Sequence, residues 1–248
     1  MANFAYKLGP PIGHKARLGL IVLQSDETLE YDLRRLLPEQ GVALYTSRVP
    51  SGAEVSTDSL AKMGSSLTHS AQLLPPEIVF DAVGYGCTSG TAVLGAEKIA
   101  SLIGAGCRTS QVTEPLTALI AACTKFRIQR LALLSPYVEE VSARLRYRLA
   151  DAGIETSQFG SFNEANETKV AHISAESLID AATQLFQRGG CEAIFLSCTN
   201  LQTLDVIAEI EARCGCPVWS SNLVLGWHMM QQAHLEPRSA HLASLLQK

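Results

Sequence analysis

At 248 residues, with 47% hydrophobic and 18% charged residues, the chain has room for one large or two small domains with sizeable cores, in a composition ordinary for a soluble enzyme. A formal net charge of −4 gives no electrostatic case for nucleic acid or an anionic membrane as partner. No window approaches the ~20 consecutive apolar residues of a membrane span, and the mixed, Pro-rich stretch from Met1 to Lys15 is unlike a signal peptide, so the expected location is cytoplasmic.

Gly9-Pro10-Pro11 and Gly13 predict an irregular lead-in. The continuous apolar run Arg17 to Leu23 predicts a strand covered on both faces. Gln24 to Thr28 turns the chain, and Leu29, Leu33, Leu36 and Leu37 predict a helix that stops at Pro38. Ala43 to Val49 reads as a second strand, and a helix from about Thr57 to Leu74 is closed by Pro75-Pro76. Ile78 to Tyr85 reads as one buried strand running into Gly86-Cys87-Thr88-Ser89-Gly90-Thr91, with a helix from about Ala92 to Ile103. A short strand near Cys107 to Val112 and a helix opened by Glu114-Pro115 follow.

The pattern then restarts. Arg130 to Leu134 resembles Arg17 to Ile21, and Ser135-Pro136-Tyr137 stands where Gln24-Ser25-Asp26 stood. A helix from Val138 to Ala150, a strand from Ile154 to Phe159, a polar loop from Gly160 to Glu167 and a Ser174-capped helix to Arg188 come next. Ala193-Ile194-Phe195-Leu196-Ser197-Cys198-Thr199-Asn200 repeats the design of the first cysteine strand, with the cysteines 111 residues apart (198 − 87). A helix from about Leu201 to Arg213, a strand at Pro217 to Ser221 and a final helix complete the copy.

Alternating strands and helices predict an α/β fold of two pseudo-symmetric lobes, each a parallel sheet flanked by helices, with the active site in the cleft between them. The expected division is 1–125 for the N-terminal lobe, joined by the C-terminal helix 223–248, and 126–222 for the C-terminal lobe. Ligands of open α/β sheets bind beyond the carboxyl ends of strands, which is where Asp26, Cys87, Tyr137 and Cys198 fall.

Seven cysteines (Cys87, Cys107, Cys123, Cys191, Cys198, Cys214 and Cys216), scattered and odd in number, argue for reduced thiols and against a disulfide framework. Cys214-Gly215-Cys216 is the one close pair, with no second pair to complete a zinc site, so no metal is expected. The duplicated Cys-Thr context separates Cys87 and Cys198 from the other five. A thiol needs help to ionise at neutral pH; a helix starting just after each cysteine would supply an anion-favouring dipole. Its first amides, with the Thr88 and Ser89 hydroxyls, would hold a carboxylate or enolate oxygen. Two thiols across a small cleft suit chemistry at one carbon, one accepting a proton or attacking and the other donating a proton. Thr199, counterpart of Thr88, joins these candidates. Asp26 reads either as a helix cap or as a ligand, Asn163 and Asn166 either as loop ligands or as turn residues, and His228 as a helix-packing residue.

The opening strand from Arg17, Gly86 to Thr91, Ser135-Pro136-Tyr137, Ser197 to Asn200 and Pro217-Val218-Trp219-Ser220-Ser221-Asn222 together resemble the aspartate/glutamate racemase superfamily, in its maleate isomerase and arylmalonate decarboxylase branch. The resemblance spans about Arg17 to Trp227 and implies a two-lobed fold, a small carboxylic acid as substrate, no cofactor, and a homo-oligomer. It implies Cys87 as the thiolate, Cys198 as the opposing proton donor or acceptor, and Thr88, Ser89 and Tyr137 as carboxylate ligands. Asn166, with Asn163 as competitor, would be the loop asparagine on the other carboxylate. Arylmalonate decarboxylases work with one cysteine, at the Cys198 position, and carry glycine where this chain has Cys87, so two thiols favour an isomerase or racemase. Maleate isomerases place an asparagine where this chain has Asp26; an aspartate there would repel a dianion by a few kcal/mol at reduced dielectric and would suit an ammonium-bearing substrate. The expected activity is a cofactor-independent two-cysteine isomerase, with decarboxylation through Cys198 or amino-acid racemisation as enzymatic alternatives and a two-lobed binding protein as the non-catalytic one.

Overall fold

The computed structural model describes residues 1–52, 54–236 and 243–247. The first half runs β1 (Ala16–Leu23), α1 (Leu29–Leu36), β2 (Val42–Val49), α2 (Thr57–Gln72), β3 (Val79–Phe80), β4 (Ala82–Gly86), α3 (Thr88–Leu94), α4 (Ala96–Gly104), β5 (Arg108–Thr109), β6 (Val112–Thr113) and α5 (Pro115–Phe126). The second runs β7 (Arg130–Ser135), α6 (Glu139–Asp151), β8 (Glu155–Ser161), α7 (Glu167–Ala171), α8 (Ala175–Gln187), β9 (Ala193–Leu196), α9 (Leu204–Cys214), β10 (Val218–Ser220) and α10 (Ser221–Gln232).

Two four-stranded parallel sheets result, ordered β2-β1-β4-β6 and β8-β7-β9-β10. The repeat extends to the register. Leu18 pairs with Ala82 in the first sheet, and their counterparts Leu131 and Ala193 pair in the second. Central strands β1, β4, β7 and β9 are apolar because helices cover both faces: Leu18, Leu20, Ile21, Val83, Leu131, Leu133, Ile194 and Phe195 have no solvent exposure. Helix α10 packs on α5, α1 and β4 of the first half.

Three expectations change. The buried run Ile78 to Tyr85 is two strands, since Asp81 turns its carboxylate to the Arg17 N–H (2.7 Å) and leaves β3 to pair with β5 in a separate ribbon. The helix from Ala92 to Ile103 is two helices, broken at Gly95 (φ 85), and the first begins directly at Thr88. The C-terminal helix placed at 223–248 is Ser221–Gln232; a single 3-10 turn, Ser244–Gln247, follows, and residues 237–242 and 248 lie outside the described ones. No helix of the described residues is long and apolar enough to cross a membrane.

Candidate active site

The carboxyl ends of β1, β4, β7 and β9 deliver Asp26, Cys87, Tyr137 and Cys198 one to three residues beyond the last paired position. All four are buried. Cys87 caps α3: its Sγ accepts the Gly90 N–H (3.1 Å), and its carbonyl accepts the Thr91 N–H and hydroxyl. Glycine is required at position 90 because a Cβ there would sit 2.8 Å from Cys87 Sγ and 2.6 Å from Tyr85 Oη.

Cys198 is held differently. No helix starts behind it; α9 begins only at Leu204, so the expected helix dipole is missing at this thiol. Its backbone instead adopts φ 143, whereas Arg127, Asn163 and His234, the other described non-glycine residues with positive φ, lie at 54–57 in the ordinary left-handed well. Such a conformation is costly for a residue with a Cβ and persists only when its surroundings enforce it. Here the Cys198 N–H donates to Ser221 Oγ (3.0 Å), the Asn200 N–H donates to Cys198 Sγ (3.3 Å), and Tyr137 Oη lies 2.9 Å from the same sulfur.

The two loops are joined into one cluster. Ser221 Oγ accepts both the Cys198 N–H and the Thr88 hydroxyl (2.7 Å), and the Thr199 hydroxyl donates to the Gly86 carbonyl (3.2 Å). Asn200 Oδ1 accepts the Glu27 N–H (2.9 Å), while Asn222 Nδ2 donates to Asp32 (2.8 Å) and to the Thr199 carbonyl (2.9 Å). Ser89 is buried beside Thr88, and its hydroxyl makes no hydrogen bond to the described residues.

Asp26 is both cap and candidate ligand. Its Oδ1 accepts the Thr28 and Leu29 N–H groups (2.9 and 2.8 Å) at the start of α1; its buried Oδ2 has no partner among the described residues. Burial pushes its carboxyl up to about 6 against the pull of those two amides. The two loop asparagines differ in setting. Asn163 is exposed on a left-handed turn (φ 55), and Asn166 spends its Oδ1 capping α7 at the Lys169 N–H (3.1 Å). Glu167, next in the chain, is buried and accepts the Tyr137 hydroxyl (2.9 Å) at Oε1 and Asn200 Nδ2 (3.2 Å) at Oε2.

Burial raises both thiols, Cys87 to about 12 and Cys198 well above its ordinary value, and the charges of Glu167 and Asp26 raise each of them further. Glu167 is itself raised by burial. Both thiols therefore rest protonated, in a pocket whose fixed charges are negative. His228 packs on Thr113 through Nδ1 (2.7 Å) and takes no part in the cluster's hydrogen bonds. Among the described residues no three His, Cys, Asp or Glu side chains are grouped as a metal site requires. A surface cavity of about 580 Å3, lined by Leu94, Leu116, Ile120 and Arg148, contains neither thiol.

Glu167, Asn200, Ser221 and Asp32 were not read from the sequence as site residues. Asn200 and Ser221 stood inside motifs already singled out, and Asp32 signalled itself as a charge on the apolar face of α1, three residues after Leu29. Nothing marked Glu167 except its position one residue past a capping asparagine.

The family model for arylmalonate decarboxylase matches residues 96–246, more than half of the chain. The chain belongs to the arylmalonate decarboxylase family. Within that family it is 30% identical over 118 residues to the arylmalonate decarboxylase of Bordetella bronchiseptica, an alignment covering 47% of this chain and 49% of that one. To the maleate isomerase of Pseudomonas putida it is 21% identical over 234 residues, covering 89% of this chain and 93% of the relative. Among solved structures, a Nocardia farcinica maleate cis-trans isomerase variant with a covalently bound succinylcysteine intermediate superposes with a TM-score of 0.82. That match is at 21% identity and covers 93% of this chain and 98% of that one. This arylmalonate decarboxylase family chain thus carries the family fold with a cysteine at each of the two equivalent strand ends.

Proposed function

We propose that the protein is a cofactor-independent isomerase of a small carboxylic acid, of the maleate isomerase kind, in which Cys87 and Cys198 act from opposite sides of the reacting carbon or carbon–carbon double bond. The observation that carries this reading is that two thiols at equivalent strand ends share one buried cluster, with Ser221 bonded to both loops and the same two carboxylates acting on both sulfurs.

The chemistry follows from the two settings. Cys87, at the first turn of α3, accepts an amide N–H that stabilises its anion, so it is the thiol that loses its proton to solvent as substrate binds and then acts as the thiolate. Burial and the nearby Glu167 charge favour a neutral Cys198, which suits a proton donor. On an alkene diacid, the Cys87 sulfur forms a bond to one alkene carbon while Cys198 gives its proton to the other. Rotation about the resulting single bond, return of the proton and loss of the thiolate release the trans isomer, with no net oxidation or reduction. On a saturated acid, Cys87 removes the α-proton and Cys198 supplies one from the opposite face. The free first-turn amides of α3 and the Ser89 hydroxyl are the groups available to a substrate carboxylate, with Thr88 and Thr199 able to join only by giving up their bonds to Ser221 and the Gly86 carbonyl. With both thiols at 3–4% exposure, substrate reaches them only when the segments that cover them part.

The test is isomerisation of maleate and α-hydrogen exchange of small acids in deuterium oxide, followed by NMR, for wild type, Cys87→Ala and Cys198→Ala. Each variant is expected to lose on the order of 10²- to 10⁴-fold; full turnover in both would end the proposal. The family match favours one second reading, decarboxylation of a malonate-type acid. Carbon dioxide release that survives Cys87→Gly and disappears in Cys198→Ala would establish it.

A further inference from the structure

Each thiol has a tyrosine beside it, and the two tyrosines are partnered differently. Tyr137 donates to Glu167 and lies 2.9 Å from Cys198 Sγ. Tyr85, two residues before Cys87 on β4, has no solvent exposure, and its hydroxyl has no hydrogen-bond partner among the described residues. A buried hydroxyl without a partner is costly and calls for an explanation. Gly90 supplies the geometry for one. A Cβ there would lie 2.6 Å from Tyr85 Oη and 2.8 Å from Cys87 Sγ, so phenol and thiol face the same gap, left by the missing side chain. The Cys87 N–H, bonded to the Tyr85 carbonyl (3.1 Å), ties the two residues together at the strand end.

The sheet itself does not require a tyrosine at this station. At the offset of 111 that relates the two cysteines, Tyr85 corresponds to Leu196 and Gly90 to Leu201, both fully buried. The register is the same in both halves, with Tyr85 paired to Ile21 and Leu196 to Leu134. A plain apolar side chain therefore fills the equivalent place in the second sheet. The phenol and the gap occur together, and only beside Cys87.

We infer that Tyr85 is a reserve hydrogen-bond donor for the Cys87 anion: its O–H is idle beside the neutral thiol and turns across the Gly90 gap to the sulfur once the thiol has lost its proton to solvent. The phenol remains a donor throughout, because burial and the charges of Cys87 and Glu114 hold its own proton on. The anion then has two donors, the Tyr85 hydroxyl and the Gly90 N–H, where the neutral thiol has the amide alone. A bond made only to the charged form lowers the cost of creating that charge, and here it counters the burial that opposes ionisation of Cys87. The effect on the thiolate stands by itself; its bearing on turnover rests on the two-thiol reading above.

The test compares wild type with Tyr85→Phe by iodoacetamide labelling, read by peptide mass spectrometry at Cys87 and, as internal reference, at Cys123, a buried thiol on α5. Loss of one hydrogen bond to a charged group makes the thiolate about ten- to a hundredfold rarer. The greater nucleophilicity of a more basic anion offsets part of this, so Cys87 labelling should slow about three- to tenfold at any one pH, with Cys123 unchanged. Because the hydroxyl removed is idle at rest, urea melts should show no loss of stability. Cys87 labelling at the wild-type rate or faster, equal slowing at Cys123, or a lower melting midpoint would overturn the inference. On the two-thiol reading, Tyr85→Phe also lowers kcat, by up to about a hundredfold, and leaves KM little changed. Slower Cys87 labelling together with full turnover in Cys87→Ala would sustain the donor and remove the two-thiol reading. Unchanged labelling together with loss of turnover in both cysteine variants would remove the donor and leave that reading standing.

Discussion

Both thiols should be inert in the unliganded protein, and Cys87 allows the size of the effect to be worked out. Burial lifts it from 9.0 to about 12, with the Glu167 and Asp26 charges adding to the rise and the Gly90 amide and Tyr85 opposing it. That difference corresponds to on the order of 4 kcal/mol, or about a thousandfold fewer thiolates at any pH below both values. At pH 8 roughly one Cys87 in ten thousand would be ionised, against about one in ten for an ordinary thiol. The assay is alkylation by iodoacetamide between about pH 7 and pH 10.5, read at each cysteine by peptide mass spectrometry. Steric shielding lowers the rate at every pH equally, so the position of the plateau reports ionisation alone. Cys87 labelling should rise tenfold per pH unit throughout. Glu167→Gln removes one anionic neighbour and should bring the plateau down without restoring 9.0, because burial is the larger cause. A wild-type plateau below about pH 9 would refute the argument that burial and acidic neighbours hold the thiol neutral.

Asp32 carries a second test. Burial raises its carboxyl from 3.8 to about 7, opposed by Asn222 and Arg35 and reinforced by Asp205 and Asp26. The folded protein holds this proton where the unfolded chain has lost it, so stability falls as pH rises between about 4 and 7 and stays low above, by on the order of 4 kcal/mol. Asp32→Asn should therefore stabilise the protein in reduced urea melts at pH 8 and bring no gain near pH 4; its amide also offers a donor to Asn222 Oδ1, which has no partner. An equal effect at both pH values would contradict the assignment. For Ser221→Ala, two buried donors, the Thr88 hydroxyl and the Cys198 N–H, lose their acceptor, and a cost of about 2–4 kcal/mol is expected in the same melts. Turnover should fall through kcat more than through KM, since both thiol-bearing loops shift; unchanged kcat would show that the shared hydroxyl positions neither.

Much of this protein was legible in the chain itself. Continuous apolar runs at Arg17 to Leu23 and Arg130 to Leu134 can only be buried strands of parallel sheets, and the recurrence of Cys-Thr after a second such run located both thiols at strand ends. These features are written in local periodicity, which the chain obeys wherever one face or both must be dry. Tertiary structure alone decided what surrounds the thiols. Glu167, 80 residues past Cys87 (167 − 87), reaches the cluster because β8 and α7 carry it back under Tyr137, and no local pattern encodes that approach. Asn163 and Asn166, chosen by residue type, go to a turn and a cap because backbone groups nearby needed them first. The strained φ of Cys198 is a property of Ser221 and Tyr137, from two other segments, acting together with Asn200 two residues on. Residue spacing names the reacting atoms; their charge state depends on how much water and which distant charges folding leaves beside them.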